Sequence, residues 1–261
     1  MRGWSPLFQA GWIAAGLLGG SAVLLLAARH RRGSWRLAAG GIGMALLTVA
    51  GLGLRDPLAS MTQYTFALMV VGQVVPPFLL LATTAAPGTA APVRLAPWWR
   101  DPGVAAALFG GLAVATGLPS ILDRSLANAL FSAPLGLLDL LAGLLFWAQL
   151  MPGSRVIRHD PLAGAYALLG SLPMTVVAVV WMTAPRVLYA PYLDVLCRWD
   201  LTPLEDQHWA GFVMLVAGLP LQVVGAWLLV AAQGSPSSGA SRNVMPGKMQ
   251  PPSPPRRSGE G

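Results

Sequence analysis

The sequence predicts an all-α, polytopic membrane bundle of about seven transmembrane helices. Three observations carry that expectation. The 261 residues are 55% hydrophobic and only 10% charged, against about 25% charged in soluble domains. Such a chain cannot cover a water-facing surface, but it can cover one that faces lipid. The apolar residues also gather into seven runs, most of them near the length of about 20 residues that crosses a bilayer. Those runs are continuous rather than alternating, which selects helices over a barrel, the other structure that satisfies backbone groups in lipid.

The expected spans are residues 7–28, 37–54, 64–86, 103–122, 134–151, 162–184 and 208–231. The first lacks a small-x-small cleavage site and reads as a retained helix, not a removed signal peptide. The second and fifth are the shortest. Pro76-Pro77 in the third and Pro173 in the sixth should kink their helices, because proline lacks an N–H and crowds the preceding turn. Gly19-Gly20, Gly40-Gly41 and Gly110-Gly111 permit close helix approach. Residues 234–261 are rich in Pro, Ser, Gly and Arg. This tail cannot bury a core and is expected to be disordered, leaving residues 1–233 as the membrane domain.

Loop charge sets the expected orientation. One set of loops and the tail carry Arg29, Arg31, Arg32, Arg36, Arg94, Arg100, Arg155, Arg158, Arg242, Lys248, Arg256 and Arg257, twelve basic residues. The opposite side carries Arg2, Arg55, Arg124, Arg186 and Arg198, which is five. The positive-inside rule then places the N-terminus outside and the C-terminus in the cytoplasm. The net charge of +7 is accounted for by these loops. No basic helix with interleaved aromatics is present, so nucleic acid is not an expected partner. The partner that composition demands is the lipid bilayer.

Few residues carry chemistry. Asp139 is the one clear ionisable residue inside a span. It reads either as a hydrogen-bonded structural residue facing the bundle or as a proton or ion site. Gln73, Gln149 and Gln222 read as polar glue between helices. The single cysteine, Cys197, excludes an intramolecular disulfide and a cysteine-based metal cluster. His30 and His159 fall on the expected cytoplasmic side, away from His208. Soft or imidazole donors on the outer side are Met61, Met182, Cys197 and His208, and no two share helical i, i+4 spacing. Glu205-Asp206 reads as a solvated face or as negative charge favouring the dipole of the seventh helix. The loop of residues 185–207, with Tyr189, Tyr192 and Trp199, reads as an interfacial segment, a lid or a docking surface. No serine, histidine and acid set and no phosphate-binding loop appears, so an enzyme is not expected.

Several blocks, in order, carry a resemblance. They are Asp56-Pro57-Leu58-Ala59, the apolar double-proline stretch Pro76-Pro77-Phe78-Leu79, Gly143-Leu144-Leu145-Phe146-Trp147, Tyr189-Ala190-Pro191-Tyr192, and Glu205-Asp206-Gln207-His208-Trp209-Ala210-Gly211 running on to Met214. Together they resemble the multi-span CtaG-type cytochrome c oxidase assembly factors. That resemblance implies a seven-helix protein of the bacterial cytoplasmic membrane. It also implies a role in maturing a haem–copper oxidase, with oxidase subunits as partners and copper as a candidate ligand. It makes Asp206, Gln207 and Met214 family-type positions. Met69 and His208 become the candidate metal ligands. The family usually carries a His-Met-x-x-His pattern in its third helix, where this chain has Leu68-Met69-Val70-Val71-Gly72. If copper handling depends on those histidines, this chain lacks it or performs it differently. Two other classes remain: a small-solute or proton transporter using Asp139, and a metal-free membrane scaffold.

Overall fold

The computed structural model describes residues 34–83, 101–127, 129–151, 157, 160–193 and 201–234. The expected first span, the tail 235–261, Cys197 and most of the arginine-bearing loops lie outside them.

Every long described segment is helical, and no strand occurs among the described residues. Helix α1 (Ser34–Gly53) ends where Leu54 donates its N–H to Ala50 and the chain turns through Arg55-Asp56-Pro57. Helix α2 (Met61–Thr83) starts at Ser60, whose backbone is extended and whose hydroxyl accepts from Gln63 N–H. That is an N-cap satisfying a donor the helix itself cannot. Helix α3 (Pro102–Gly117) is capped by Asp101, which accepts from Gly103 and Val104 N–H, with Pro102 entering its first turn. Helices α4 (Pro119–Ala127), α5 (Ala129–Leu150) and α6 (Asp160–Thr183) follow. After a 3-10 turn at Ala190–Tyr192, α7 (Pro203–Gly234) closes the bundle. Its first turn is a capping box, in which Thr202 Oγ1 accepts from Glu205 N–H and the Glu205 carboxylate accepts from Thr202 N–H.

Four of these helices are long and apolar enough to cross a membrane: Trp35–Gly53, Met61–Thr83, Pro161–Thr183 and Pro203–Ala231. Two further apolar helices, Pro102–Gly117 and Pro134–Leu150, are shorter. The expected span 103–122 is therefore corrected. Leu118 sits before Pro119, is extended (φ −79°, ψ 129°) and ends α3 at Gly117, as the steric clash of a pre-proline residue with the helical region requires. Sixteen residues rise about 24 Å, short of the roughly 30 Å hydrocarbon core.

The double proline acts differently from a simple kink. Upstream of it the α2 backbone widens into a π turn, Val70–Val74, closed by Val75 N–H on Val70 C=O. Pro76 and Pro77 supply no N–H, so the carbonyls of Gly72 and Gln73 lack an α-helical donor. The widened turn is the local accommodation, and such turns are often found at functional positions.

Helices α6 and α7 share the largest interface, α1 lies on the C-terminal part of α2, and α3 packs on α6 and α5. Gly164 and Gly225 bring α6 and α7 together, for a Cβ on either would come within 3.0 Å of the other's carbonyl oxygen. Among the glycine pairs expected to serve this role, Gly110 does so against Pro173, whereas no described residue lies within 4 Å of a Cβ on Gly41 or Gly111. One core cluster joins Leu54, Met61, Tyr64, Trp181, Tyr189 and Tyr192 at one end of the bundle. A second holds Phe109, Phe146 and Tyr166 stacked at centroid distances of 4.4 and 4.7 Å. Outward-facing Val49, Leu169, Val176, Val223, Trp227 and Val230 are exposed, as the lipid-facing surface of a bundle is.

Candidate functional site

The chain connections after α1, after α3 and after α6 meet at one end of the bundle, beside the start of α7. Tyr192 donates its hydroxyl to Pro57 C=O (2.6 Å) and Tyr189 donates to Gly117 C=O (2.7 Å). Burial pushes the Tyr189 phenol well above its ordinary ionisation range, so it remains a donor. The two tyrosines of the 185–193 segment thereby pin it to α1–α2 and α3. The segment is tied down along its length, and its Tyr189 ring meets Trp181 edge-on.

The start of α7 completes this end. Asp206 is 1% exposed. Its Oδ1 accepts from Ser60 Oγ (2.8 Å) and Thr62 N–H (3.1 Å), its Oδ2 accepts from Met61 N–H (2.6 Å), and its backbone carbonyl accepts from Thr62 Oγ1 (2.9 Å). The carboxylate thus occupies the N-terminus of α2, where free N–H groups and the helix dipole favour negative charge. Glu205 and Asp206 part company here. Glu205 serves the start of its own helix, whereas Asp206 is turned inward to another, so for Asp206 neither a solvated face nor a charge for the seventh helix describes its position. Gln207, fully buried, accepts from Leu188 N–H (2.8 Å) and donates to Trp181 C=O (3.4 Å). A ring nitrogen of His208 lies 3.0 Å from Ala184 C=O. Three consecutive side chains therefore fasten α7 to α2, to the loop and to the end of α6.

Met214 continues the same face of α7, two turns below Gln207, and is 3% exposed. It lines a small, partly enclosed cavity with Met69 and Gln73 of α2, Met174 of α6 and Asp139 of α5. Phe109, Ala113 and Thr116 of α3 form the remaining side. There is room for little more than one water molecule. The four key residues share one depth. Measured from the end that holds Asp206, Met69 is eight residues in from Met61, Asp139 ten from Ala129, Met174 nine from Thr183 and Met214 eleven from Pro203. At 1.5 Å per residue that is about 12–17 Å, the middle of a bilayer core.

The π turn makes space for Asp139. A Cβ on Gly72 would lie 2.6 Å from Asp139 Oδ2 and 2.8 Å from its carboxyl carbon, so only glycine admits the carboxyl there. Gly143, one turn along α5, faces the Gly72 carbonyl oxygen just as closely. Asp139 as a whole is half-buried, but Oδ2 has no solvent contact and no hydrogen-bond partner among the described residues. Gln73 Nε2 donates to Met174 Sδ at 3.6 Å, a weak acceptor.

Of the residues singled out from sequence, Asp139, Met69 and Met214 are brought to the cavity. Asp206, Gln207 and His208 are brought to the end above it. His208 does not line the cavity; it sits six residues from Met214 on α7, about 9 Å along the helix, so Met69 and His208 do not form one site. Met174 was not singled out by sequence. Gln73 and Gln222 do bridge helices, Gln222 to Thr175, whereas Gln149 donates within its own helix to Leu145 C=O. Among the described residues no group of three His, Cys, Asp or Glu is placed to hold a metal.

No curated protein and no solved structure matches the chain. The sequence pattern of the cytochrome c oxidase caa3 assembly factors (Caa3_CtaG) matches residues 21–233, a stretch that contains the clasp at Asp206 and every residue lining the cavity. The chain belongs to the cytochrome c oxidase caa3 assembly factor family.

Proposed function

We propose that the protein assists the assembly of a cytochrome c oxidase from within the bacterial cytoplasmic membrane, through helix–helix contact with an oxidase subunit. The family match over residues 21–233 is the observation that carries this reading. The role is one of binding and positioning rather than catalysis. Loop charge supports an N-terminus outside and a cytoplasmic C-terminus, which puts the Asp206 end on the outer side. The exposed apolar faces of α6 and α7 offer surface to lipid or to a client helix, and small or apolar side chains are what such contacts use.

A transport role through Asp139 has less support. Among the described residues no second titratable group lines the cavity, and a proton or ion relay needs more than one station.

The test is made in a bacterium that encodes the chain. Removing it should lower the amount of assembled oxidase, read from haem absorbance and from the complex on native gels, while oxidase transcripts stay constant. Restoring the wild-type chain should restore both, and a tagged chain should co-purify with an oxidase subunit. Unchanged oxidase in the deletion strain would overturn the proposal.

A further inference from the structure

Three thioethers and a carboxyl group converge on one cavity at the middle of the bundle. They come from four different helices: Met69 from α2, Asp139 from α5, Met174 from α6 and Met214 from α7. All three methionines are buried. A purely apolar core has no use for the carboxyl, and an unpaired carboxylate at such depth costs several kcal/mol. The site therefore holds either a proton or a cation on Asp139. The soft donors in the cavity wall are the three methionines and its polar groups are Asp139, Gln73 and Thr116; Gln73 donates to Met174 and Thr116 donates to Ala113 C=O.

We infer that the cavity lined by Met69, Met174, Met214 and Asp139 is a binding site for a single Cu(I) ion. Charge and softness both select it. Thioethers are neutral, soft donors that favour Cu(I) over hard or borderline cations. One carboxylate with one monovalent ion is neutral overall, as the protonated acid is, so exchange adds no net charge to the low-dielectric interior. A divalent ion would leave a net positive charge there, at a desolvation cost of several kcal/mol. The exchange balances: Cu(I) enters, the carboxyl proton leaves to solvent, and no electron moves. Methionine side chains have three flexible bonds and can close on an ion that fills the space of one water. Met174 sulfur keeps a lone pair for the metal while it accepts from Gln73. The site uses neither His208 nor any other histidine. It stands on this chain's own residues and does not depend on oxidase being the client.

The full chain, purified in mild detergent and loaded with Cu(I) under ascorbate, provides the test. After competition with a Cu(I) chelator it should retain about one copper per chain and release one proton per copper. X-ray absorption at the copper edge should show sulfur neighbours. The double variant Met174→Leu, Met214→Leu should weaken retention at least tenfold, and Asp139→Asn should abolish the proton release. Both replacements conserve volume, and helical circular dichroism verifies the fold of each. No retained copper in the folded wild-type chain would overturn the inference and leave the cavity with a proton alone. So would copper without sulfur neighbours, copper held equally by the double variant, or copper bound with no proton released.

Discussion

The Asp206 clasp makes a quantitative demand on stability. Asp206→Asn keeps the size of the side chain and removes one acceptor oxygen. If the remaining oxygen takes the Oδ1 place, it keeps Ser60 Oγ and Thr62 N–H, and the new NH2 faces Met61 N–H across what was a 2.6 Å bond. If the amide is turned over, Met61 is satisfied and Thr62 N–H faces the NH2 instead. The serine hydroxyl can rotate to accept, but a backbone N–H cannot. Either way one donor at the start of α2 is left against another donor in a dry place. Losing a hydrogen bond to a charged acceptor costs about 1.5–3 kcal/mol, and removing negative charge from a helix N-terminus adds about 0.5–1 kcal/mol. The expected destabilisation is therefore about 2–4 kcal/mol. Unfolding in mixed micelles, followed by circular dichroism, measures it from the shift in midpoint at constant slope. Hydrogen exchange locates it, because protection should fall at the Met61 and Thr62 amides before it falls in α5. In a cycle with Ser60→Ala the two changes should couple by about 1 kcal/mol, as contacting residues do. A variant within about 0.5 kcal/mol of wild type, the size of an ordinary surface change, with unaltered exchange at those amides, would refute the assignment of Asp206 to the α2 terminus.

Three further outcomes follow from the packing. Gly143→Ala places a methyl against the Gly72 carbonyl at the π turn, where backbone and not a flexible side chain must move, so it should cost about 3 kcal/mol, the upper end for overpacking, in the same unfolding assay. Gly170→Ala drives a Cβ into the Phe146 ring, which is stacked on both sides by Phe109 and Tyr166. It should destabilise by about 1–3 kcal/mol, and Phe146→Leu in the same chain should recover part of the loss. Tyr189→Phe deletes the hydroxyl donated to Gly117 C=O and should cost about 1 kcal/mol, with a rise in proteolytic cleavage of the 185–193 segment in intact vesicles.

Much of the fold was legible because lipid removes choices. A run of some twenty apolar residues has one structural solution in a bilayer, so hydropathy alone placed a helix in each of the six expected spans that fall on described residues, and four of those helices are long enough to cross. The ends were less legible, for hydropathy is blind to proline sterics. Residues 103–122 are predominantly apolar up to Leu122 and carry no charge, yet Pro119 forces Leu118 out of the helical region. The same blindness hid the π turn, whose cause is two missing N–H groups downstream.

The cavity was half legible, and the reason bears on how such sites are found. Sequence spacing links residues within a helix, and Met69, Asp139, Met174 and Met214 share none. What they do share is depth, eight to eleven residues from one end of helices that alternate in direction. Depth can be counted once spans and orientation are assigned, and that count would have added Met174 to the residues already suspected. It would not have given the rotation of each helix, which decides whether a residue at the right depth faces its neighbours or the lipid. Here the rotation is fixed about 12 Å away, by the Asp206 and Gln207 contacts. Because α7 is rigid and Gln207 and Met214 lie two turns apart on one face, fastening Gln207 to the loop also aims Met214 at Asp139. The family-type residues at the end of the bundle and the methionine below them thus form one mechanical unit, in which the polar pair sets the geometry that the cavity uses.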